Sequence, residues 1–314
     1  MIELTEDHNA PFCLFYGDTN SGKTTSIIRT AKQPIYCISA EGDALKSVAV
    51  CRDKGETVDI KVVMPESHED VMNTLNRLLL KIRERRVTGK AFKFETVLFD
   101  SGTYWMNCKL AIRVEDDRNE DREGIDKGKL SAMTKTDWTE VNTINSQMAR
   151  LTDLLKAIAN EGVMTIMTAQ MQYDPKWNNE LEGAPCFNYK DYNKALKGYF
   201  DFIGYVKPRM KKVLDADGNE TGRVETVYPP FLSFSGNQGY LVKWRGVQPE
   251  YLITKFRLDK IFKWFQDKGR EEVKTPDVGA VDLKPGSVVM LPDDVEVELK
   301  EAVTGGVVDD PDDY

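Results

Sequence analysis

Residues 12–29 read FCLFYGDTNSGKTTSIIR, and this stretch constrains the chain more than any other. An apolar run, Phe12 to Tyr16, stops at Gly17; Gly22, Lys23 and Thr24 then complete the spacing G-x-x-x-x-G-K-T. A buried-type strand before the pattern and a helix-compatible run after it are the context in which such a loop holds phosphate. Gly17 and Gly22 allow backbone conformations closed to residues with a Cβ, so successive N–H groups can point at phosphate oxygens. The helix that follows adds the positive end of its dipole. Asp18, Thr19, Asn20, Ser21 and Thr25 fill out the expected cradle. Lys23 is the residue to reach the β- and γ-phosphates of a nucleotide, and Thr24 the one to offer a hydroxyl to Mg2+. The pattern predicts a nucleotide site.

Charge first argues against a nucleic-acid partner, since the 314 residues carry a formal net charge of −8. Its location changes that reading. Residues 291–314 hold nine acids against Lys300 alone, so residues 1–290 are neutral overall. The five cysteines are widely spaced and lack a C-x-x-C pair, and only His8 and His68 could join them. A structural zinc site is therefore not expected, and reduced thiols are. With no signal-peptide pattern and no apolar run approaching eighteen residues, the expectation is a soluble, cytoplasmic protein without a membrane partner.

Strand-like and helix-like runs alternate. Strands are expected at Ile35–Ile38, Val58–Met64, Thr96–Phe99 and Val163–Thr168, with a further strand at Tyr240–Trp244. Ser67 should cap a long helix with Val71, Leu75, Leu78, Leu79 and Ile82 on its apolar face. Arg77, Lys81, Arg83, Arg85 and Arg86 cluster near its C-terminal end, either as a solvated face favoured by the helix dipole or as a nucleic-acid patch. Helices are expected at Tyr104–Val114 and Asp137–Asn160, and a strand pair at Phe202–Lys212 and Val224–Val227 around the turn 215–219. Residues 115–136 and 171–197 read as surface loops. The fold class is α/β, a mostly parallel sheet with helices on both faces and antiparallel strands at its C-terminal edge. The division is a core of residues 1–265 and a C-terminal extension, 266–314, with a flexible acidic tail.

Three further residues sit where strand ends would bring them to the loop. Asp100 closes Thr96-Val97-Leu98-Phe99 and is placed to hold Mg2+ beside Thr24. Glu41 follows the second strand and can act as general base towards a water, or be an exposed turn residue. Gln170 follows the 163–168 strand, where its amide can contact a γ-phosphate, or simply end the strand. Thr134-Lys135-Thr136-Asp137 mimics a guanine-specificity motif, but it precedes a helix and reads better as a cap.

The order of loop, Glu, Asp-Ser and Gln resembles the RecA-like P-loop ATPases, most closely the short phage RecA-core annealing and recombination ATPases. The likeness is carried by GDTNSGKTT at 17–25, SAEGDAL at 39–45, VLFDSGTYW at 97–105 and IMTAQM at 166–171, and it extends over roughly residues 10–250. It implies a Mg2+-dependent ATPase acting on single-stranded DNA in phage-type recombination or replication, in the host cytoplasm if phage-encoded. It implies Glu41 as the residue activating water and Gln170 as γ-phosphate sensor. It also implies a homo-oligomer with ATP at subunit interfaces, where Lys243 and Arg245, or Arg209, would supply charge from a neighbour. The DNA-facing loops would be 115–136 and 171–197. The second holds Tyr173, Trp177, Phe187, Tyr189 and Tyr192 among lysines, suited either to stacking on bases or to packing against the body. The sequence departs from the pattern in the acidity of 115–136 and in lacking a recognisable polymerisation segment before Pro11. The acidic tail resembles those that recruit protein partners. Rival readings are a DNA-packaging or partner-remodelling NTPase of the same fold, a small-molecule phosphotransferase, and a nucleotide-gated interaction protein.

Overall fold

The computed structural model of the chain describes residues 10–114, 138–187, 190–214, 220–234, 239–244 and 253–259. It is a mixed α/β fold around one mostly parallel sheet. In chain order the elements are β1 (Phe12–Gly17), α1 (Lys23–Thr30), β2 (Ile35–Ser39), α2 (Ala44–Asp53), β3 (Ile60–Val63), α3 (His68–Thr88) and β4 (Thr96–Asp100). A single turn, α4 (Gly102–Tyr104), runs into a π-helical stretch, Trp105–Leu110. Then come α5 (Trp138–Asn160), β5 (Met164–Tyr173), β6 (Gly183–Pro185), α6 (Lys190–Tyr199), β7 (Phe202–Leu214), β8 (Glu220–Ser233) and β9 (Ile253–Lys255).

The sheet order is β3-β2-β4-β5-β1-β7-β8-β9, with β6 paired to β5. The pairings from β3 through β7 are parallel, while β7–β8 and β8–β9 are antiparallel. The antiparallel edge is therefore the C-terminal one, as the sequence predicts. β1 lies in the middle, flanked by β5 and β7, and all six of its residues are buried.

Alternation along β1 distributes two cores. Phe12, Leu14 and Tyr16 face a cluster built with α3, α5 and α6, while Cys13 and Phe15 face one built with α1, α2 and the C-terminal strands. A strand covered on both faces must be apolar throughout, which is why FCLFY shows no polar alternation.

Helix α3 illustrates which forces dominate. Ser67 accepts from the Asp70 N–H at 3.1 Å and Asp70 accepts from the Ser67 N–H at 3.0 Å, a closed capping box, and Gly89 ends the helix with φ 68°. That cap contributes about 1 kcal/mol. Val71, Leu75, Leu78, Leu79 and Ile82 are all buried, and each is worth roughly 1.5–3 kcal/mol. Packing, not capping, holds α3.

The structure departs from the sequence expectations at several places. The expected helix at 104–114 begins as a π-helical stretch, where i→i+5 winding lets Trp105 and Leu110 both be buried. The segment 171–197 is not a surface loop: β5 runs on to Tyr173, β6 pairs back on it and α6 follows. Residues 240–244 make only isolated bridges, Gly183 with Tyr240 and Ile203 with Lys243. The strands β7 and β8 are longer than expected because their pairing with each other continues past the polar residues. The turn 215–219, the segment 115–136 and the extension 266–314 lie outside the described residues. The five cysteines are unpaired, and no helix among the described residues is long and apolar enough to cross a membrane.

Candidate nucleotide site at the strand ends

The C-terminal ends of β1, β5, β4 and β2 lie side by side. Gly17 is level with Gln170, and Ser39 with Asp100. Parallel pairing brings these residues to one edge although they are far apart in the chain. A cavity of about 230 Å³ opens there, lined by residues 19–25 of the loop together with Glu41, Asp100, Thr168, Gln170 and Tyr228.

Two glycines shape the loop. A Cβ on Gly17 would lie 2.4 Å from the Val206 carbonyl oxygen, so β7 can pass this close only to glycine. Gly22 sits at φ 83° and precedes the first turn of α1, and a Cβ there would meet Tyr228 Cε1 at 2.5 Å. Asn20, at φ 63°, takes the left-handed conformation that asparagine tolerates best among residues with a side chain.

Lys23 lies over the loop. Its ammonium donates to the carbonyls of Gly17 (2.9 Å) and Asp18 (2.7 Å) and to Ser21 Oγ (3.3 Å). Burial pulls its pKa down to about 8, against the opposing pull of Asp100, Asp18 and Glu41. Asp18 is in turn held by Tyr173, whose hydroxyl donates to its carboxylate at 2.8 Å. The extension of β5 is thereby tied to the loop.

Thr24 Oγ1 lies 3.1 and 3.2 Å from the two oxygens of Asp100, and Thr168 also donates to that carboxylate. Burial raises the pKa of Asp100, with hydrogen bonds from Thr168 and Thr24 and the charge of Lys23 working the other way. A buried carboxylate joined to a hydroxyl is an all-oxygen donor set suited to a hard divalent cation. Thr24 and Asp100 thus fit Mg2+. The peptide after Asp100 is cis. Ser101 donates to Glu41 Oε1 at 2.7 Å, fixing a side chain that is otherwise exposed. The Gln170 N–H is held by Thr103 Oγ1 at 2.9 Å, and Thr25 joins Ser47 of α2 at 3.3 Å.

Every loop residue from Gly17 to Thr25 with Glu41, Asp100 and Gln170 is thus gathered at one edge of the sheet. Lys243 is not among them. Its ammonium donates to the carbonyls of Lys197 and Phe200, 2.6 Å each, where a cation is favoured at the end of α6. Arg209 stands over the Phe231 ring, 5.3 Å from its centroid, and Arg245 lies outside the described residues. Of the aromatics expected to face a strand of DNA, Phe187 and Tyr192 are buried and pack edge to face at 4.9 Å. Trp177 is half-buried against the core, and Tyr189 lies outside the described residues. Tyr173, expected to face DNA, is exposed and bonded to Asp18 of the loop, and sequence reasoning missed that contact, the contact of Ser101 with Glu41, and Thr168 and Tyr228 altogether. Thr168 alone carried a signal, since it precedes Gln170 by two residues and shares its face of the strand.

No protein-family model matches the chain, and no curated protein matches its sequence.

Proposed function

We propose that the protein is a Mg2+-dependent ATPase with a RecA-like core that acts on single-stranded DNA in phage-type recombination or replication. The observation carrying this reading is the contact between Thr24 and Asp100 beside the buried ammonium of Lys23. It joins a phosphate loop to a strand-end carboxylate, the two halves of a nucleoside-triphosphate site.

In this reading the loop N–H groups and the N-terminus of α1 cradle the phosphates, and Lys23 places its charge against the β- and γ-oxygens. Thr24 and Asp100 would hold Mg2+, which would supply charge neutralisation to the phosphates. Glu41, oriented through Ser101, accepts a proton from the attacking water as its oxygen bonds to the γ-phosphorus. The bond to the bridging oxygen breaks, giving ADP and phosphate. Gln170 contacts the γ-phosphate and relays its presence along β5 to Tyr173. Assembly into a homo-oligomer would place charge from a neighbouring chain near this phosphate.

The test is ATP binding and turnover of Lys23→Ala, with and without single-stranded DNA. Loss of binding or turnover supports the reading, and turnover at the natural rate overturns it. The burial of Phe187 and Tyr192 favours one alternative, an NTPase of this fold serving DNA packaging or partner remodelling without direct DNA contact. A turnover rate indifferent to single-stranded DNA at low salt would select it.

A further inference from the structure

A second cavity among the described residues, about 430 Å³, lies at the opposite edge of the sheet, between the end of α3 and the starts of β4 and β5. It is lined by Arg85, Arg86, Lys90, Phe92 and Phe94 and by two acids, Glu95 and Glu161, with Ile82 and Val163 beside them. Two rings, Phe92 and Phe94, line it, and the buried Tyr36 packs on one of them. Tyr36 meets Phe94 edge to face at 5.1 Å, and Phe94 meets Phe92 at 5.8 Å. Phe92 and Phe94 are only half-buried. Cations stand over these rings: Lys61 is 5.4 Å from the Tyr36 centroid and Lys93 is 5.4 Å from that of Phe94.

Bases outnumber acids there: from Arg77 to Glu95 there are seven bases and two acids, Glu84 and Glu95, with Glu161 a third acid beside them. Glu161 takes up Arg83 and Arg86, at 2.8 and 2.9 Å. Arg85 donates to the Ala91 carbonyl, which orients it without neutralising it. Lys90 and Lys93 are exposed and form no ion pair among the described residues. Helix-dipole complementarity accounts for Arg85 and Arg86 in the last turn, but not for Lys90 and Lys93 beyond it or for half-exposed rings between them.

We propose that this groove binds single-stranded nucleic acid, with Phe92 and Phe94 against base faces and Arg85, Lys90 and Lys93 on the phosphates. Two half-buried rings 5.8 Å apart among cations match a chain that offers both π-faces and charge, and a duplex hides its base faces. An acidic peptide would use the cations and leave the rings without partners. The inference rests on the reading of this protein as acting on DNA, and it places the contact away from the nucleotide edge.

The test is anisotropy of a labelled oligo-dT strand with the full chain, over a range of salt. Lys90→Ala/Lys93→Ala should weaken binding about tenfold or more and flatten the salt dependence by about 1.4 in log–log slope, at roughly 0.7 per lost phosphate contact. Phe92→Ala should cost about tenfold through lost stacking. Turnover without DNA should stay at the natural rate in both, and a crosslink from bromodeoxyuridine-substituted oligonucleotide to the natural protein should map to residues 90–95. Natural affinity and slope in the double variant, or crosslinks confined elsewhere, overturn the inference while the ATPase reading stands. Displacement of the oligonucleotide by poly-glutamate at equal charge would reassign the groove to an acidic protein segment. A natural chain that turns over ATP but binds no oligonucleotide at low salt removes the groove and the DNA partner together, and a chain without turnover removes the ATPase.

Discussion

Thr24, at the start of α1, and Asp100, at the end of β4, meet at 3.1 Å although 76 residues separate them. Neither depends on the other for its local conformation, since one belongs to a helix turn and the other to a strand end. In the proposed reading their contact is the divalent-cation site, and it is tested by substituting either partner. Thr24→Val and Asp100→Asn should each reduce nucleotide binding in Mg2+ by at least tenfold and leave binding in EDTA little changed, as read by titration calorimetry. Thr24→Ser should keep most of the Mg2+ dependence.

Burial of Asp100 raises its pKa, so its ionised form destabilises the ligand-free fold at neutral pH. The Asp100→Asn protein should melt no lower than the natural one in EDTA. A clear loss of melting temperature would show that the carboxylate is favourable as it stands.

Thr168→Val should act in the opposite sense. It removes a donor from a buried carboxylate, at a cost of about 1–3 kcal/mol. In the Asp100→Asn background the same change should cost less, and a double-mutant cycle on urea midpoints measures the difference.

Lys23 supplies a pH dependence. Its pKa in the folded chain is about 8, below the roughly 10.4 of a free lysine. Below pH 8 both folded and unfolded chains carry the proton, so the unfavourable burial of the charge is fully present. Between about 8 and ~10.4 the unfolded chain binds more protons, and stability of the ligand-free protein from this group rises with pH. Phosphate requires the ammonium form, so nucleotide affinity should fall above pH 8, and binding at pH 9 should take up protons. Calorimetry in two buffers of different ionisation enthalpy detects that uptake, and its absence would mean that Lys23 is not at the phosphates.

Gly22 is predicted to be irreplaceable for two separable reasons. Gly22→Ala meets the Tyr228 ring and is also strained by its positive φ, together costing more than about 1 kcal/mol. Adding Tyr228→Ala should relieve the clash and leave the strain, so nucleotide binding should return only in part.

Much of this site was legible because its chemistry is compressed into short runs. The loop is contiguous, and Asp100 and Gln170 are marked in the sequence by apolar-leaning runs that give way to polar residues, although β5 itself continues to Tyr173. The fold class followed from the same alternation. What stayed hidden depends on tertiary proximity. Tyr228 approaches Gly22 only because β7 and β8 fold back beside β1. Phe187 and Tyr192 look like a sequence of aromatics among lysines, yet burying them outweighs exposing them, and the segment becomes strand and helix. Lys243 reads as a charge awaiting a phosphate, whereas the end of α6 offers it two carbonyls in its own chain.

The central position of β1 has a consequence for biosynthesis. Among the described strands it is the first made, and Phe12 must wait for Thr165 before its ladder can form. At about 5–20 residues per second that interval is roughly 8–30 s. Throughout it, a wholly apolar strand with two open edges leaves the ribosome without its neighbours. The nascent chain should therefore be most prone to aggregate, and most dependent on a holding chaperone, until β5 emerges. A ribosome stalled before residue 160 would expose that vulnerability, and one stalled after β7 would not.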